Sequence, residues 1–239
     1  MVSIDPGVLA ASLHRLTARR DAPAGVLSAL DEVTAACVAL FGVSGAGIMV
    51  ADEQNITRYV SATDDPGRQL ETAESETGQG PCTQAFIEGR VCASTDVASD
   101  ARWPELAERL AGCGVHAVLG VPVRLGAVPV GTLDVYRDRP HDWDDTECAA
   151  LGRYADVIET TLAAALSAHA AGELADQLQY ALDHRVAIER GIGYLMARDG
   201  LDAVAAFNRL RAAARASRSK IGAAAAHLLA TGDLPGSSD

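Results

Sequence analysis

The sequence predicts an α+β chain: an antiparallel-sheet domain with flanking helices, a long connecting helix, and an all-α module of three helices. Three observations carry this. Closely spaced β-like runs separated by turn residues fill the middle of the chain. Apolar residues recur at helical spacing on both sides of them. Beyond Gly172 only helical patterns remain, broken at Gly200 and Gly232.

In order, residues 24–41 place Val26, Leu27, Leu30, Val33, Cys37, Val38 and Phe41 at helical spacing, and Gly42 ends that helix. Residues 46–51 read as a buried strand and 57–62 as its hairpin partner. Asp64-Asp65-Pro66-Gly67 is turn chemistry. After Gly78-Gln79-Gly80 a short helix runs from Pro81 or Cys82 to Ile87. A short strand follows at 91–94 and a helix at 103–110. Residues 115–123 and 129–136 are strands joined through Gly126 and Ala127, and such close spacing favours antiparallel pairing. Asp144 with Glu147 forms a capping box, with Asp in the place of Ser or Thr. It opens a helix that extends to Ala171. Gly172 is a weak break, after which Leu174, Leu178 and Leu182 continue a stripe at i, i+4, i+8. A helix over 174–198 is expected, then helices over 203–214, with Phe207 and Leu210 inward, and 221–230. The domains are accordingly 1–171 for the sheet domain with its N-terminal and connector helices, 172–232 for the helical module, and 233–239 for a disordered tail.

Composition sets limits. Of 239 residues 49% are hydrophobic but only 4% aromatic, so alanine, leucine and valine build the core. An alanine-rich core yields little transfer energy per residue, which makes burial of further surface in a homodimer an expected gain. The net charge is −12. Residues 172–239 hold eight basic and eight acidic residues, so the whole excess lies in 1–171. Residues 203–231 carry five positive charges and no acid. A local basic surface of this kind attracts phosphate; a solvated helix face gives the same pattern. The five cysteines have no metal-like spacing, and no secretory leader is apparent, so a reduced cytoplasmic protein is expected. The long uncharged run 33–51 is broken by Gly42, Ser44, Gly45 and Gly47, and no membrane segment is expected.

Motifs of several enzyme classes are missing. There is no G-x-x-x-x-G-K, H-E-x-x-H or G-x-S-x-G, and the six histidines lack ligand spacing. His116 sits in an apolar run, where a packed core or pocket histidine is expected rather than a catalytic base. Lys220 is the only lysine, which argues against a phosphate-accepting receiver domain in the N-terminal half. No catalytic residue, metal site or cofactor is assigned.

Two series of residues carry a resemblance. Gly78-Gln79-Gly80-Pro81-Cys82, Asp100-Ala101-Arg102-Trp103-Pro104, the run Val115 to Val123, and Val130-Gly131-Thr132-Leu133-Asp134-Val135-Tyr136 resemble GAF domains. That resemblance implies a central antiparallel sheet with helices on one face and a small-molecule pocket on the other. The candidate lining is Cys82, Cys92, His116, Val118 and Asp134, for an unidentified small-molecule effector. The second series is Arg185-x-x-Ile188-Glu189, Gly193-x-Leu195-Met196-Ala197-Arg198-x-Gly200, Ala206-Phe207-x-x-Leu210-Arg211 and Ser217-Arg218-Ser219-Lys220-Ile221. It resembles the ANTAR module, which binds paired hairpins in leader RNA and prevents transcription termination. One departure stands out: members usually show Ala-Lys-Gly where this chain has Gly191-Ile192-Gly193. The two glycines weaken the helix by roughly 1 kcal/mol each relative to alanine. Two readings follow: Arg190, one residue earlier, takes the cationic role, or the protein binds RNA weakly or binds a different element.

The candidate RNA-binding residues are Arg185, Arg190, Tyr194, Arg198, Arg211, Arg215, Arg218 and Lys220. Arginine offers phosphate a planar fork and stacks on unpaired bases, although nineteen of the twenty basic residues are arginine, so its use here is not specific. Arg211, Arg215 and Arg218 share a helix face at i, i+4, i+7. Three readings compete. The first is a ligand-controlled RNA-binding antiterminator. The second is a sensor whose C-terminal helices serve only dimerisation or protein docking, for which Ile192 is the support. The third is a GAF-fold sulfoxide reductase using Cys82, Cys92 or Cys113; the expectation is that the protein is not an enzyme.

Overall fold

The computed structural model describes residues 4–18, 25–52, 57–167 and 173–236. Its elements run α1 (Pro6–Ala18), α2 (Val26–Phe41), β1 (Gly45–Ala51), β2 (Thr57–Ala62), α3 (Asp65–Thr77), α4 (Pro81–Glu88), β3 (Cys92–Ser94), α5 (Pro104–Arg109), β4 (Ala117–Leu125), β5 (Val128–Arg137), α6 (Asp145–Ser167), α7 (Glu173–Asp199), α8 (Ala203–Ala216) and α9 (Ile221–Thr231). The five strands form one antiparallel sheet in the order β2-β1-β5-β4-β3.

Strand alternation divides the sheet into two faces. Ile48, Val50, Leu119, Val121, Leu133 and Val135 meet α2 and α6 in the largest core, with Leu30, Phe41, Tyr154 and Ile158. On the opposite face Met49, Val118 and Tyr136 meet α3, α4 and α5 through Leu70, Cys82, Ala85, Trp103 and Leu106. Helices therefore cover both faces, not one as the resemblance implied. Pro122 lies just past the end of β3, where β4 has become an edge and a missing N–H costs no ladder bond.

The capping box is reciprocal. Asp144 Oδ1 accepts from the Glu147 N–H at 2.9 Å, and Glu147 Oε2 accepts from the Asp144 N–H at 3.0 Å. Glu147 is also buried against Arg137 (3.2 Å), whose guanidinium donates to the Phe41 and Gly42 carbonyls that end α2. One acid thus ties the start of α6 to β5 and to the end of α2.

Two helices depart from the expectation. The expectation leaves out α1, although Leu9, Leu13 and Leu16 stand at i, i+4, i+7 and pack against the main core. α3 stands where Asp64-Asp65-Pro66-Gly67 reads as a turn. Asp64 is its N-cap, accepting from the Gly67 N–H at 2.9 Å, and Pro66 occupies the first turn. The segment hides its helix because it buries Glu71 and Glu74 beside Leu70 and Ala73, so its inward stripe is half polar. The connector α6 is described as far as Ser167; the end expected at Ala171 and the break at Gly172 lie outside the described residues.

The N-terminal half of α7 lies on the sheet domain through Leu174, Leu178 and Leu182. Its C-terminal half packs with α8 and α9 around Ile188, Leu195, Phe207, Leu210, Ile221 and Leu228. Ala51, Phe86 and Ile87 of the sheet domain complete that core. Part of the tail expected over 233–239 is ordered: Leu234 packs against this core. Residues 237–239 lie outside the described residues.

Candidate nucleic-acid interface and sensor core

The eight candidate RNA-binding residues divide into two sets. Arg190, Tyr194 and Arg198 project from α7 at i, i+4, i+8 and are exposed, as are Arg215, Arg218 and Lys220 around the end of α8 and the start of α9. Arg198 is held by Asp199 at 2.7 Å and by the Gly232 carbonyl at 2.6 Å, and its guanidinium lies 5.5 Å from the centre of the Tyr194 ring. Lys220 sits 4.8 Å over the ring of Tyr180. Arg218 has φ of 52°, in the left-handed region. Its N–H donates to the Arg215 carbonyl, and the next N–H, of Ser219, reaches back to Ala214, which closes α8. A non-glycine residue there costs roughly 1–2 kcal/mol.

Arg185 and Arg211 are the second set, and they correct the expectation of one exposed arginine face. Arg185 is buried, bound to Glu189 at 2.7 Å, with its guanidinium 5.9 Å from the Phe86 ring centre on α4. Arg211 is 4% exposed and turns away from solvent to donate to the Ser75 carbonyl at 3.2 Å. Beside it, Asn208 donates to the Gly78 carbonyl at 3.0 Å, and Phe207 meets Phe86 edge-on at 6.5 Å. Ser75 and Gly78 end α3, where helix carbonyls lack intrahelical partners and the dipole is negative. α8 therefore caps α3 with a cation and an amide. Gly78 takes a left-handed φ of 66°, and a Cβ there would run into Asn208 and Arg211. Burial pulls the Arg211 guanidinium down to about 10, helped by nearby Arg215 and opposed by Asp52. Its Nε has no partner, a cost of about 1–3 kcal/mol that works against the docked state.

The Gly191-Ile192-Gly193 departure has a packing explanation. Ile192 is 9% exposed within the helical core, so this position does not face solvent in this arrangement. Gly191 brings α7 against α9: an added Cβ would lie 3.2 Å from Ala225 Cβ. Ile192 therefore gives no support to the dimerisation-only reading.

The five candidate pocket residues do not all converge. Cys82, Cys92 and Val118 share the core beneath α3 and α4, and Asp134 faces the same side of β5. His116 is no core histidine: its side chain is 38% exposed and pairs with Asp96 at 3.0 Å, ahead of β4. The residues that sequence reasoning missed are Glu71 and Glu74 on α3. Glu74 accepts from the Cys82 and Thr83 N–H groups at 3.2 and 2.7 Å, which caps α4. Both oxygens of Glu71 and of Asp134 lack an N–H or O–H partner, and so does the Thr132 hydroxyl on the same face of β5. The Cys82 thiol abuts Asp134 and Glu74.

Burial dominates the electrostatics of this cluster. It pushes Asp134 up to about 8, with Glu74 adding to the effect, and Glu74 up to about 7 against its backbone hydrogen bonds. Burial first, then Asp134 and Glu74, hold Glu71 well above the usual carboxylate range. Burial likewise raises the thiols of Cys37 and Cys82, and it carries Cys92 to about 11. Such thiols are poor nucleophiles at neutral pH. Among the described residues no group of three or more His, Cys, Asp or Glu is placed to hold a metal ion, and no helix is long and apolar enough to cross a membrane.

Comparison with known proteins agrees with this architecture. The family model for the GAF domain matches residues 26–162, and that for the ANTAR domain matches residues 176–229. A search of curated proteins gave no match. The fold is similar to the GAF domain of an Acinetobacter phosphoenolpyruvate-protein phosphotransferase, with a TM-score of 0.54 at 16% identity, covering 67% of this chain and 96% of that one. The GAF domain of a phosphoenolpyruvate-protein phosphotransferase from Coxiella burnetii gives 0.54 at 16% identity, over 69% and 98%. Free methionine-R-sulfoxide reductase from Neisseria meningitidis, solved with its substrate, gives 0.53 at 18%, over 67% and 89%. At these identities the likeness is one of fold. The chain belongs to the GAF-domain family and carries a C-terminal ANTAR domain, the architecture of a signal-sensing regulator.

Proposed function

We propose that this protein is a signal-responsive transcription antitermination regulator that binds paired hairpins in leader RNA through its C-terminal helices. The observation that carries the reading is the exposed Arg215, Arg218 and Lys220 of the acid-free stretch 203–231, together with the exposed Arg190 and Tyr194 of α7. Exposed arginines suit phosphate, and an exposed tyrosine suits an unstacked loop base. The docking of α8 on α3 supplies the control: Arg211 is withheld from RNA while it caps α3. A signal that loosens α3 from α8 returns it. The GAF domain receives that signal through a small molecule that binds the two arrangements with different affinity.

The test is binding of the full chain to an RNA with two adjacent short hairpins, over a salt series. Binding is expected to weaken linearly in log affinity against log salt. Arg190→Ala/Arg218→Ala is expected to lower affinity and to reduce the slope by about 2, because each arginine neutralises one phosphate. The second reading, helices used for protein docking alone, is favoured by the way α8 spends Phe207, Asn208 and Arg211 on its own sensor domain. It would hold if folded protein binds no RNA even when Asn208→Ala weakens that docking.

A further inference from the structure

Asp134 lies on the central strand β5, opposite Gly47 of β1 and Gly120 of β4. Its two lateral neighbours on the sheet therefore have no side chains; the α4 backbone at Cys82 closes over Gly120, and the side over Gly47 is left to Glu71. The carboxylate of Glu71 fills the space above Gly47: a Cβ there would overlap Glu71 Oε1, and it would lie 3.1 Å from Asp134 Oδ2. Two carboxylates thus converge on one glycine-floored recess, each residue only 1% exposed, with four oxygens aimed inward and none bound to an N–H or O–H group. The Thr132 hydroxyl, two residues along the same face, adds a further unpartnered oxygen. Glu74 is different in kind, because the first turn of α4 already satisfies it.

A recess of four carboxylate oxygens, with only the Thr132 hydroxyl and the Cys82 thiol as donors beside them, selects a ligand rich in N–H donors and positively charged. It does not suit a phosphate, a carboxylate or a nucleotide anion. We propose that Glu71, Asp134 and Thr132 bind the head group of a small organic cation, a primary ammonium or a guanidinium, and that this cation is the signal read by the sensor domain. The proposal rests on the regulatory reading above and names its effector class. Glu71 lies one turn before Ser75 and two before Gly78, the carbonyls that hold Arg211 and Asn208. Drawing the Glu71 carboxylate onto a cation acts on the same helix that anchors α8.

Further charged groups bear on the pair. They are Glu74 and Arg68 on α3, Cys82 on α4 and, toward Asp134 from the other face of the sheet, Cys37 on α2. The carboxylates must lose protons to hold a cation, so affinity rises with pH up to about 8, where Asp134 ionises.

The test is titration calorimetry of the full chain in sodium phosphate with ethylammonium and with methylguanidinium, using tetramethylammonium and acetamide as probes that lack the N–H donors or the charge. The expected result is saturable one-to-one binding of at least one N–H cation, none of either control, and affinity that increases with pH. Glu71→Gln and Asp134→Asn are each expected to weaken it at least tenfold. Both substitutions replace a buried ionisable group by an amide of the same shape, so the variants fold, and their melting curves verify this. Failure of both N–H cations to bind, binding equal to that of tetramethylammonium, or binding unaffected by the two substitutions overturns the proposal. A pH-dependent melting temperature without cation binding would mark the cluster as a pair sharing protons, and would also overturn it. The titration uses no RNA, so its failure leaves the hairpin measurement standing, and failure there leaves this one standing.

Discussion

Replacing Asp134 with asparagine isolates the cost of the buried acid. An unfolded aspartate ionises near 3.8, whereas in the fold burial keeps Asp134 protonated up to about 8. Between those values the native state binds more protons than the unfolded state, so stability falls as pH rises. The slope is about 1.4 kcal/mol per pH unit for one group, so from pH 5 to pH 8 the loss approaches roughly 4 kcal/mol. Asparagine does not titrate and avoids that loss, while its amide remains a buried polar group. Asp134→Asn is therefore expected to gain on the parent protein by about 2–4 kcal/mol between pH 5 and pH 8. Urea unfolding at pH 5, 6, 7 and 8, in buffers free of amines, measures the difference from the midpoints provided the m-values agree. A difference independent of pH, or a variant less stable than the parent at pH 8, would refute the reasoning.

Other substitutions test other parts of the account. Arg218→Gly relieves the left-handed backbone at the end of α8, so it should stabilise the fold by up to about 1 kcal/mol in urea melts while weakening RNA binding; loss of stability would show that the conformation is not strained. Glu147→Ala removes the partner of Arg137 and of His141 and half of the capping box, and should cost roughly 3–5 kcal/mol; a loss below about 1 kcal/mol would remove Glu147 from the framework. With a thiol reagent at pH 7 the native protein should show no fast reaction at Cys37, Cys82 or Cys92, because burial raises all three thiols; a rapid equivalent mapping to Cys82 or Cys92 would revive a reductase reading.

Much of this fold is legible in the chain because local chemistry and tertiary packing agree. The pairing of β4 with β5 follows from two apolar runs joined at a glycine turn, and the start of α6 from an Asp and a Glu three residues apart. The end of α7 is legible at Gly200, which takes φ of 69°. Where local and tertiary signals conflict, the sequence misleads. α3 buries two glutamates on its inward face, so no apolar stripe marks it, and its N-cap reads equally well as a turn. The site is less legible than the fold for the same reason. Glu71 and Glu74 have the character of surface residues on any propensity scale, and only the glycine opposite Asp134 hints at a close approach. Arg211 belongs by spacing with Arg215 and Arg218. Its burial depends on α3, more than a hundred residues away, whose terminal carbonyls offer it a partner. His116 stands at the head of an apolar run and just before the strand proper, which leaves it at the rim beside Asp96.

The central claim is that docking of α8 on α3 withholds Arg211 from the RNA-binding surface. Asn208→Ala tests it most directly, because it removes the hydrogen bond to the Gly78 carbonyl and leaves all eight candidate RNA-binding residues in place. Loss of about 1 kcal/mol of docking energy shifts a mostly docked population about fivefold toward the open form. At fixed salt, without added effector, the variant should bind the two-hairpin RNA several-fold more tightly than the parent protein. Unchanged or weaker binding by a folded Asn208→Ala protein would contradict the account.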